Sequence, residues 1–192
     1  MVIYDEALED ILRKHCEQCE SLYILHRYCH QYFNAISNAS NVCVILLSGS
    51  VGFCQALNID FKYTNLILGL ISLIIGLIKS IETFFNTSRR SSEHKLIFLA
   101  YLRVHKKLLT ELALHREDRQ PPEELIAVIK DQISSLEESA PIILKRAITK
   151  FQQKYGEPSE ISLPPILNGL TKVEVNRPLN ISASFVQIDD IH

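Results

Sequence analysis

Two long apolar stretches dominate the pattern of hydrophobic and polar positions along the chain. Residues 28–59 contain 32 consecutive positions without Lys, Arg, Asp or Glu, and ten of the 16 positions in residues 63–78 are Leu or Ile. A helix needs about 20 mostly apolar residues to cross the hydrocarbon core of a bilayer. The first stretch reaches that length at roughly 38–57 and the second at roughly 64–85. The pattern therefore predicts two transmembrane helices.

The segment between the two predicted spans is short, at about six residues, which favours an antiparallel helical hairpin. Cytoplasmic loops carry an excess of Lys and Arg. Lys62 is the one basic residue of this link, whereas three basic residues precede the first span and six closely follow the second. The charges therefore predict that both termini lie on the cytoplasmic side. Two buried helices of a soluble bundle are the less favoured alternative, because no other apolar surface in the chain looks large enough to bury both.

Small residues recur on one side of each predicted span. Such stripes let two helix backbones approach closely in lipid. The residues expected to pack in this way are Ser48, Gly52, Gly69, Ser72, Gly76 and Ser80. Packing within the hairpin is the favoured interpretation, followed by association between chains. A pore lining is a minor alternative, because the spans contain few polar residues.

Two charged residues lie near the end of the second apolar stretch. Lys79 and Glu82 are three residues apart, so they can pair on one face of a helix. The long lysine stem allows its ammonium group to reach the headgroup region. We interpret the two residues as an ion pair at the membrane interface rather than as a proton relay.

Amphipathic patterns flank the hairpin on both sides. Residues 4–33 carry apolar positions at alternating three- and four-residue spacing, including Ile11 and Cys19, which predicts a helix that runs into the first span with little break. After a polar joint at 86–92, three more helices are expected. They begin near Ser92, Pro121-Pro122 and Pro141, and the last one ends at Gly156. We expect these helices to form a cytoplasmic bundle with the N-terminal helix.

The last 36 residues differ from the rest because they contain four prolines and little charge. Their alternating apolar residues favour an extended segment that docks on another protein, and disorder is the alternative. The residues expected to dock are Val173, Val175, Ile181 and Phe185.

The predicted fold class is thus an all-α membrane protein with a two-span hairpin, a cytoplasmic helical bundle and an extended C-terminal tail. Its four parts are an N-terminal amphipathic helix at 1–37, the hairpin at 38–86, the cytoplasmic helical region at 87–156 and the docking tail at 157–192.

Composition and motifs provide little evidence for catalysis or nucleic-acid binding. The net charge of −2 and the lack of Trp argue against a nucleic-acid interface. Cys19 and His26 would lie about 10 Å apart along one helix, too far for ligands held at ~2.0–2.3 Å by one zinc ion. We therefore assign the histidines and cysteines of residues 15–30 to bundle packing, and the charged residues near 111–119 to a buried Glu–Arg tie. We expect no metal, no cofactor and no enzymatic activity.

Several stretches resemble a known family. Residues Tyr101 to Leu114 with Asp118-Arg119, and Leu136 to Pro141 with the helix that follows, resemble the SLATT-type two-span membrane family. They look most like membrane proteins of large nucleocytoplasmic DNA viruses, over roughly residues 10–156. The resemblance implies either a virion membrane component or a pore-forming, membrane-disrupting effector.

We favour the structural role among these two functions. The likeness to the viral proteins is closer, and the spans have few polar residues for a conducting path. The expected protein is an anchor or minor capsid component that ties the inner membrane of a virion to the capsid shell, located in that membrane or in a host endomembrane. Its expected partners are the lipid bilayer, other structural proteins bound through the tail, and a possible second copy of the chain.

Overall fold

The computed structural model of the protein describes residues 4–57, 62–156 and 161–169, and within these ranges it is all-helical, without a strand. The helices are α1 (Glu6–Ala56), α2 (Thr64–Phe85), α3 (Thr87–Ala113), α4 (Pro122–Ser139), α5 (Lys145–Tyr155) and α6 (Pro165–Asn168), and a 3-10 turn at Arg116–Asp118 separates α3 from α4. All four predicted tail-docking residues, Val173, Val175, Ile181 and Phe185, lie outside the described residues.

Helix α1 joins the predicted amphipathic helix and the first apolar stretch in one element of 51 residues. Its first turn is capped by the Asp5 carboxylate, which accepts a hydrogen bond of 2.8 Å from the Leu8 amide. Neither glycine nor proline occurs before Gly49, so nothing breaks the helix where the amphipathic pattern gives way to the apolar one. At 1.5 Å per residue the helix is about 77 Å long. The predicted continuity is confirmed.

Helices α2 and α3 are joined through a single residue, Asn86, which has left-handed backbone angles of φ 50° and ψ 40°. Asparagine adopts this conformation more readily than most residues. Because α3 already begins at Thr87, the predicted polar joint at 86–92 is only one residue long, and Ser92 lies inside the helix instead of capping it. The Ser92 hydroxyl donates to the Ser88 carbonyl at 3.2 Å, which satisfies this serine within the helix.

The first half of α1 packs with α3, α4 and α5 to form a helical bundle, which we define as residues 4–37 and 87–156. One core contains Leu12, Cys19, Tyr101, Leu108, Leu125 and Ile129. A second core forms where Leu25 of α1 meets Phe151 of α5 and Leu163. Both cores are built mainly from the apolar faces of amphipathic helices.

The helix predicted to begin at Pro141 begins four residues later, at Lys145. Proline disfavours helical geometry in the residue before it, and Ala140 is extended with ψ 128°. Leu144 is extended as well, and its amide donates to the Cys29 sulfur at 3.4 Å. The predicted end at Gly156 is confirmed, because this glycine has a positive φ of 69°.

The hairpin consists of the apolar half of α1, residues 38–56, and α2. Its two helices meet through half-buried residues that recur at spacings of three and four. These are Val44, Leu47, Val51 and Cys54 in α1, and Leu68, Ile71, Ile75 and Ile78 in α2. A repeat of this kind is typical of two long helices that pack at a shallow angle.

Candidate functional site: the apolar hairpin and its junction with the bundle

The outer surface of the hairpin is made of large apolar side chains. Leu66, Phe84 and Ile45 are 71%, 79% and 68% exposed. Both helices are long and apolar enough to cross a membrane, and their most apolar 18-residue windows are 0% and 6% buried within the chain. Soluble monomers rarely expose contiguous apolar patches larger than a few hundred Å². This surface therefore needs a cover that the described chain does not provide.

The small residues of the spans do not form the contact within the hairpin. Ser48, Gly52, Gly69, Ser72, Gly76 and Ser80 are all exposed. A Cβ atom added at any of the three glycines would meet nothing within 4 Å. The prediction that they pack within the hairpin is therefore wrong.

The physical reason is that the contact face of each helix lies one residue before the small residues, instead of at the small residues themselves. In α1 and in α2 the small residues come directly after contact residues, as Gly69 follows Leu68 and Gly76 follows Ile75. One residue corresponds to about 100° around a helix. The larger aliphatic side chains thus fill the space between the helices, and the small residues point outward. Association between chains through them stays a prediction.

A polar cluster holds α1 and α2 together at the end of the hairpin nearest the bundle. The predicted ion pair is present, with Lys79 Nζ 2.8 Å from Glu82 Oε2. The Ser37 hydroxyl donates to Glu82 Oε1 at 2.8 Å, and Lys79 donates to Asn41 Oδ1 at 2.5 Å. Ser37 and Asn41 are four residues apart and share a face of α1, but their role could not be deduced before the register of α2 was known.

Removing one charge of the Lys79–Glu82 pair is expected to lower the free energy of unfolding more than removing both charges does. Lys79→Met leaves the Glu82 carboxylate without its cation, and we expect the free energy of unfolding to fall by about 1–2 kcal/mol. The double variant Lys79→Met/Glu82→Gln removes the unpaired charge and should recover part of this loss. Thermal unfolding in lipid nanodiscs measures both. Glu82→Gln alone completes the set, and a loss in the double variant equal to the sum of the two single losses would show that the two residues are not coupled.

A buried pair of histidines joins α1 to α3 inside the bundle. His26 and His94 are each 1% exposed, and their Nδ1 atoms are 2.9 Å apart. One ring nitrogen must donate and the other accept, so the pair is compatible with two neutral rings. Burial lowers the pKa of both histidines below the usual value. The rings of Tyr101 and Phe33 stack on them at centroid distances of 5.9 and 5.7 Å.

Other histidines and cysteines in the first half of α1 also take part in bundle packing. Cys16 Sγ lies 3.3 Å from His105 Nδ1, and the Ser91 hydroxyl lies 2.9 Å from His30 Nδ1. Among the described residues, no group of three or more His, Cys, Asp or Glu side chains is placed to hold a metal ion. These residues connect α1 with α3 along the length of the bundle.

Comparison of the chain with protein-family models, with curated proteins and with solved structures gave no match. The resemblance to the SLATT-type family therefore stays a prediction.

The predicted Glu–Arg tie near residues 111–119 exists, but its acid comes from α1. Arg119 donates to Glu9 Oε1 at 2.5 Å, and Arg116 donates to both carboxylate oxygens of Glu9 at 2.9 and 2.7 Å. These two guanidinium groups hold the pKa of Glu9 at about 2. The tie closes the end of the bundle that is farthest from the hairpin.

The described start of the predicted tail packs on its own chain. The Ser162 amide donates to Glu17 Oε2 at 2.7 Å, and Leu163 is buried against Leu25 and Phe151. Residues 161–169 are therefore part of the bundle surface and are not a free docking segment. The cause is local, because Pro164 and Pro165 start the short helix α6 and place Leu163 against Leu25 of α1 and Phe151 of α5.

Proposed function

We propose that the protein is an integral membrane anchor that holds its helical bundle at a fixed position on the cytoplasmic face of a bilayer, where the bundle and tail bind another structural protein. The observation that carries the proposal is the outer surface of the hairpin, where large apolar side chains predominate and lie exposed. Lipid tails are the cover that suits such a surface, because they bury it without requiring a complementary shape.

The dimensions of the hairpin support insertion. Residues 38–56 of α1 span about 29 Å and the 22 residues of α2 span about 33 Å, close to the ~30 Å of a hydrocarbon core. Within a helix the backbone hydrogen bonds are satisfied internally, as a bilayer requires. The polar cluster around Lys79 and Glu82 lies toward the bundle end of α2, where headgroups and water begin.

The stiffness of the junction supports a structural role. Helix α1 passes from the hairpin into the bundle without a break, and Asn86 is the single non-helical residue between α2 and α3. Two helices therefore connect the hairpin to the bundle, so the bundle cannot swing freely as it would on a flexible linker. A stiff connection of this kind suits a protein that sets a distance between a membrane and a shell above it.

The basic residues support the proposed orientation. Arg89 and Arg90 follow α2 directly, and Arg27 precedes the apolar half of α1, all on the bundle side. The resemblance to membrane proteins of large DNA viruses extends the proposal: the membrane is the inner membrane of a virion or a host endomembrane, and the partner belongs to the capsid shell.

A pore-forming effector is the second candidate function, and one observation favours it. The exposed small-residue faces, which include Ser48 and Ser72, are suited to lateral packing of several copies. Vesicles that hold the full-length protein should stay tight to a soluble dye if the protein is an anchor. Leakage at a low protein-to-lipid ratio favours the pore instead.

The anchor is tested by two matched substitutions at equally exposed leucines. Leu46 in the hairpin is 65% exposed and Leu96 in the bundle is 69% exposed. In water, Asp at either position costs little. In a bilayer, Leu46→Asp costs about 2.5–3.5 kcal/mol of insertion free energy. The apolar half of α1 is only moderately hydrophobic, because it also contains serines, glycines and a glutamine, so this cost should weaken its insertion.

We therefore expect Leu46→Asp to reduce the fraction of protein that resists alkaline extraction from membranes, and Leu96→Asp to leave it unchanged. Equal extraction of both variants and the unchanged protein would show that the surface around Leu46 does not face lipid.

A further inference from the structure

A groove opens at the junction between the hairpin and the bundle, between α1 and the connection of α2 with α3. Its volume is about 260 Å³. One end is lined by the apolar side chains of Ile36, Ile81 and Phe85, on the side of the hairpin. The other end is lined by Thr87 and Arg90, on the side of the bundle. The groove therefore changes from apolar to polar at the level where the apolar surface of the hairpin ends.

One arginine, Arg90, lines the polar end, and a second, Arg146, lies beside Tyr32 in the neighbouring pocket. The guanidinium of Arg90 sits over the ring of Phe33 at 5.9 Å, and that of Arg146 in α5 sits over the ring of Tyr32 at 5.3 Å. In the described ranges neither forms an ion pair, whereas the neighbouring Arg89 is paired with Glu93. Arginine stays charged at any physiological pH. The polar end thus carries positive charge that the described chain does not neutralise.

A second observation at the same end also favours a negatively charged ligand. Thr87 is 7% exposed, and its hydroxyl is the one buried side-chain N or O atom of the described residues that lacks a hydrogen-bond partner. Thr87 is also the first residue of α3, and no side chain caps that helix terminus. The N-terminus of a helix carries partial positive charge and attracts anions. Glu82 lines the groove too, but its charge is already matched by Lys79.

We propose that this groove binds one anionic phospholipid. Arg90 holds the phosphate near Thr87, and an acyl chain lies along Ile36, Ile81 and Phe85. Arg146 adds positive potential from the neighbouring pocket, beyond the ring of Tyr32. Arginine suits a phosphate because its planar fork donates two parallel hydrogen bonds. The apolar wall selects a lipid over a free anion, because a free phosphate leaves that wall uncovered. The inference rests on the proposed function, since the groove meets lipid only when the hairpin is inserted.

The chain contains no tryptophan, so one introduced tryptophan reports on a single position. Phe85→Trp places the reporter in the groove. Leu66→Trp places it at the opposite end of α2, at a residue that is 71% exposed. The full-length protein is reconstituted in mixtures of phosphatidylcholine and phosphatidylglycerol in which one of the two lipids carries brominated acyl chains that quench fluorescence.

For the Phe85→Trp protein we expect brominated phosphatidylglycerol to quench more strongly than its mole fraction predicts. The quenching should correspond to about fivefold enrichment of this lipid next to the groove. At Leu66→Trp we expect quenching in proportion to mole fraction. Added to the Phe85→Trp protein, Arg90→Gln should abolish most of the enrichment. Arg89→Gln removes the same charge one residue away, from a side chain already paired with Glu93, and should leave the enrichment unchanged.

Each failure has a separate meaning. If Leu66→Trp is quenched by neither lipid, the hairpin is not in the bilayer and the anchor fails together with the lipid site. If Leu66→Trp is quenched but Phe85→Trp shows no enrichment, only the lipid site is refuted. Equal losses with Arg90→Gln and Arg89→Gln also refute the site, because they indicate a diffuse surface potential.

Discussion

Acidification from pH 7.5 to pH 5 is expected to lower the free energy of unfolding of the bundle by up to about 1.4 kcal/mol per pH unit for each of His26 and His94. An unfolded histidine takes up a proton as the pH falls below about 6.5. Burial lowers the pKa of both folded histidines, so they stay neutral. The unfolded chain then binds more protons than the folded one. Stability is therefore full above pH 6.5 and is lost as the pH falls below it.

The surroundings of the pair agree with this sign. Around His94, the charge of Glu93 raises the pKa, while His30 and Arg90 lower it, and burial is the largest effect. Glu9, whose ion pairs with two arginines hold its pKa at about 2, contributes little to the change, because its unfolded carboxyl takes up protons mainly below pH 5. Urea unfolding in nanodiscs, followed by circular dichroism at pH 7.5, 6.5 and 5, measures the effect.

Two histidine variants provide the control for this experiment. His26→Gln removes one of the two buried titrating rings, so the dependence on pH should fall by roughly half. His115→Gln removes an exposed histidine beyond α3 and should leave the dependence unchanged. Stability that is the same at pH 7.5 and pH 5 would contradict the assignment of neutral rings to the buried pair.

The features that the sequence predicted correctly depend on local information. An uninterrupted α1 follows from 43 residues without glycine or proline, and the two apolar helices follow from long apolar stretches with few charges. The contact face of each span was not predictable in this way. Gly69 and Leu68 are adjacent, and which of them faces α1 depends on the register that Ser37 and Asn41 set with Glu82 and Lys79.

In the bundle too, the sequence predicted the amphipathic helix but not which of its residues are buried. The predicted stripe of α1 included Ile11, which is 46% exposed, and omitted Leu12 and Leu25, which are 1% and 0% exposed. A stripe at alternating spacing describes a helix with one neighbour, whereas the first half of α1 packs against both α3 and α5 and buries a wider face. Pairs such as His26–His94 depend on how α3 returns along α1, which no local pattern encodes.

Leu108→Ala is expected to destabilise the bundle by about 2–5 kcal/mol. Leu108 is 0% exposed and packs in the core with Leu12 and Leu125, so its removal leaves a cavity between α1, α3 and α4. The next residue provides the matched control. Leu109 is 54% exposed, and Leu109→Ala should change stability by no more than about 0.5 kcal/mol.

The buried cysteines of the bundle report this difference while the protein stays in a bilayer. Burial raises the pKa of Cys16 to about 11 and that of Cys19 to about 12, so both thiols are inert in the folded bundle. We expect Leu108→Ala to speed their labelling by a water-soluble maleimide at pH 7.5 by about thirtyfold or more, and Leu109→Ala to have little effect. Resistance to alkaline extraction should not change in either variant, because the exposed apolar surface of the hairpin lies away from Leu108. Release of Leu108→Ala from the membrane would show instead that the hairpin needs the bundle to remain inserted.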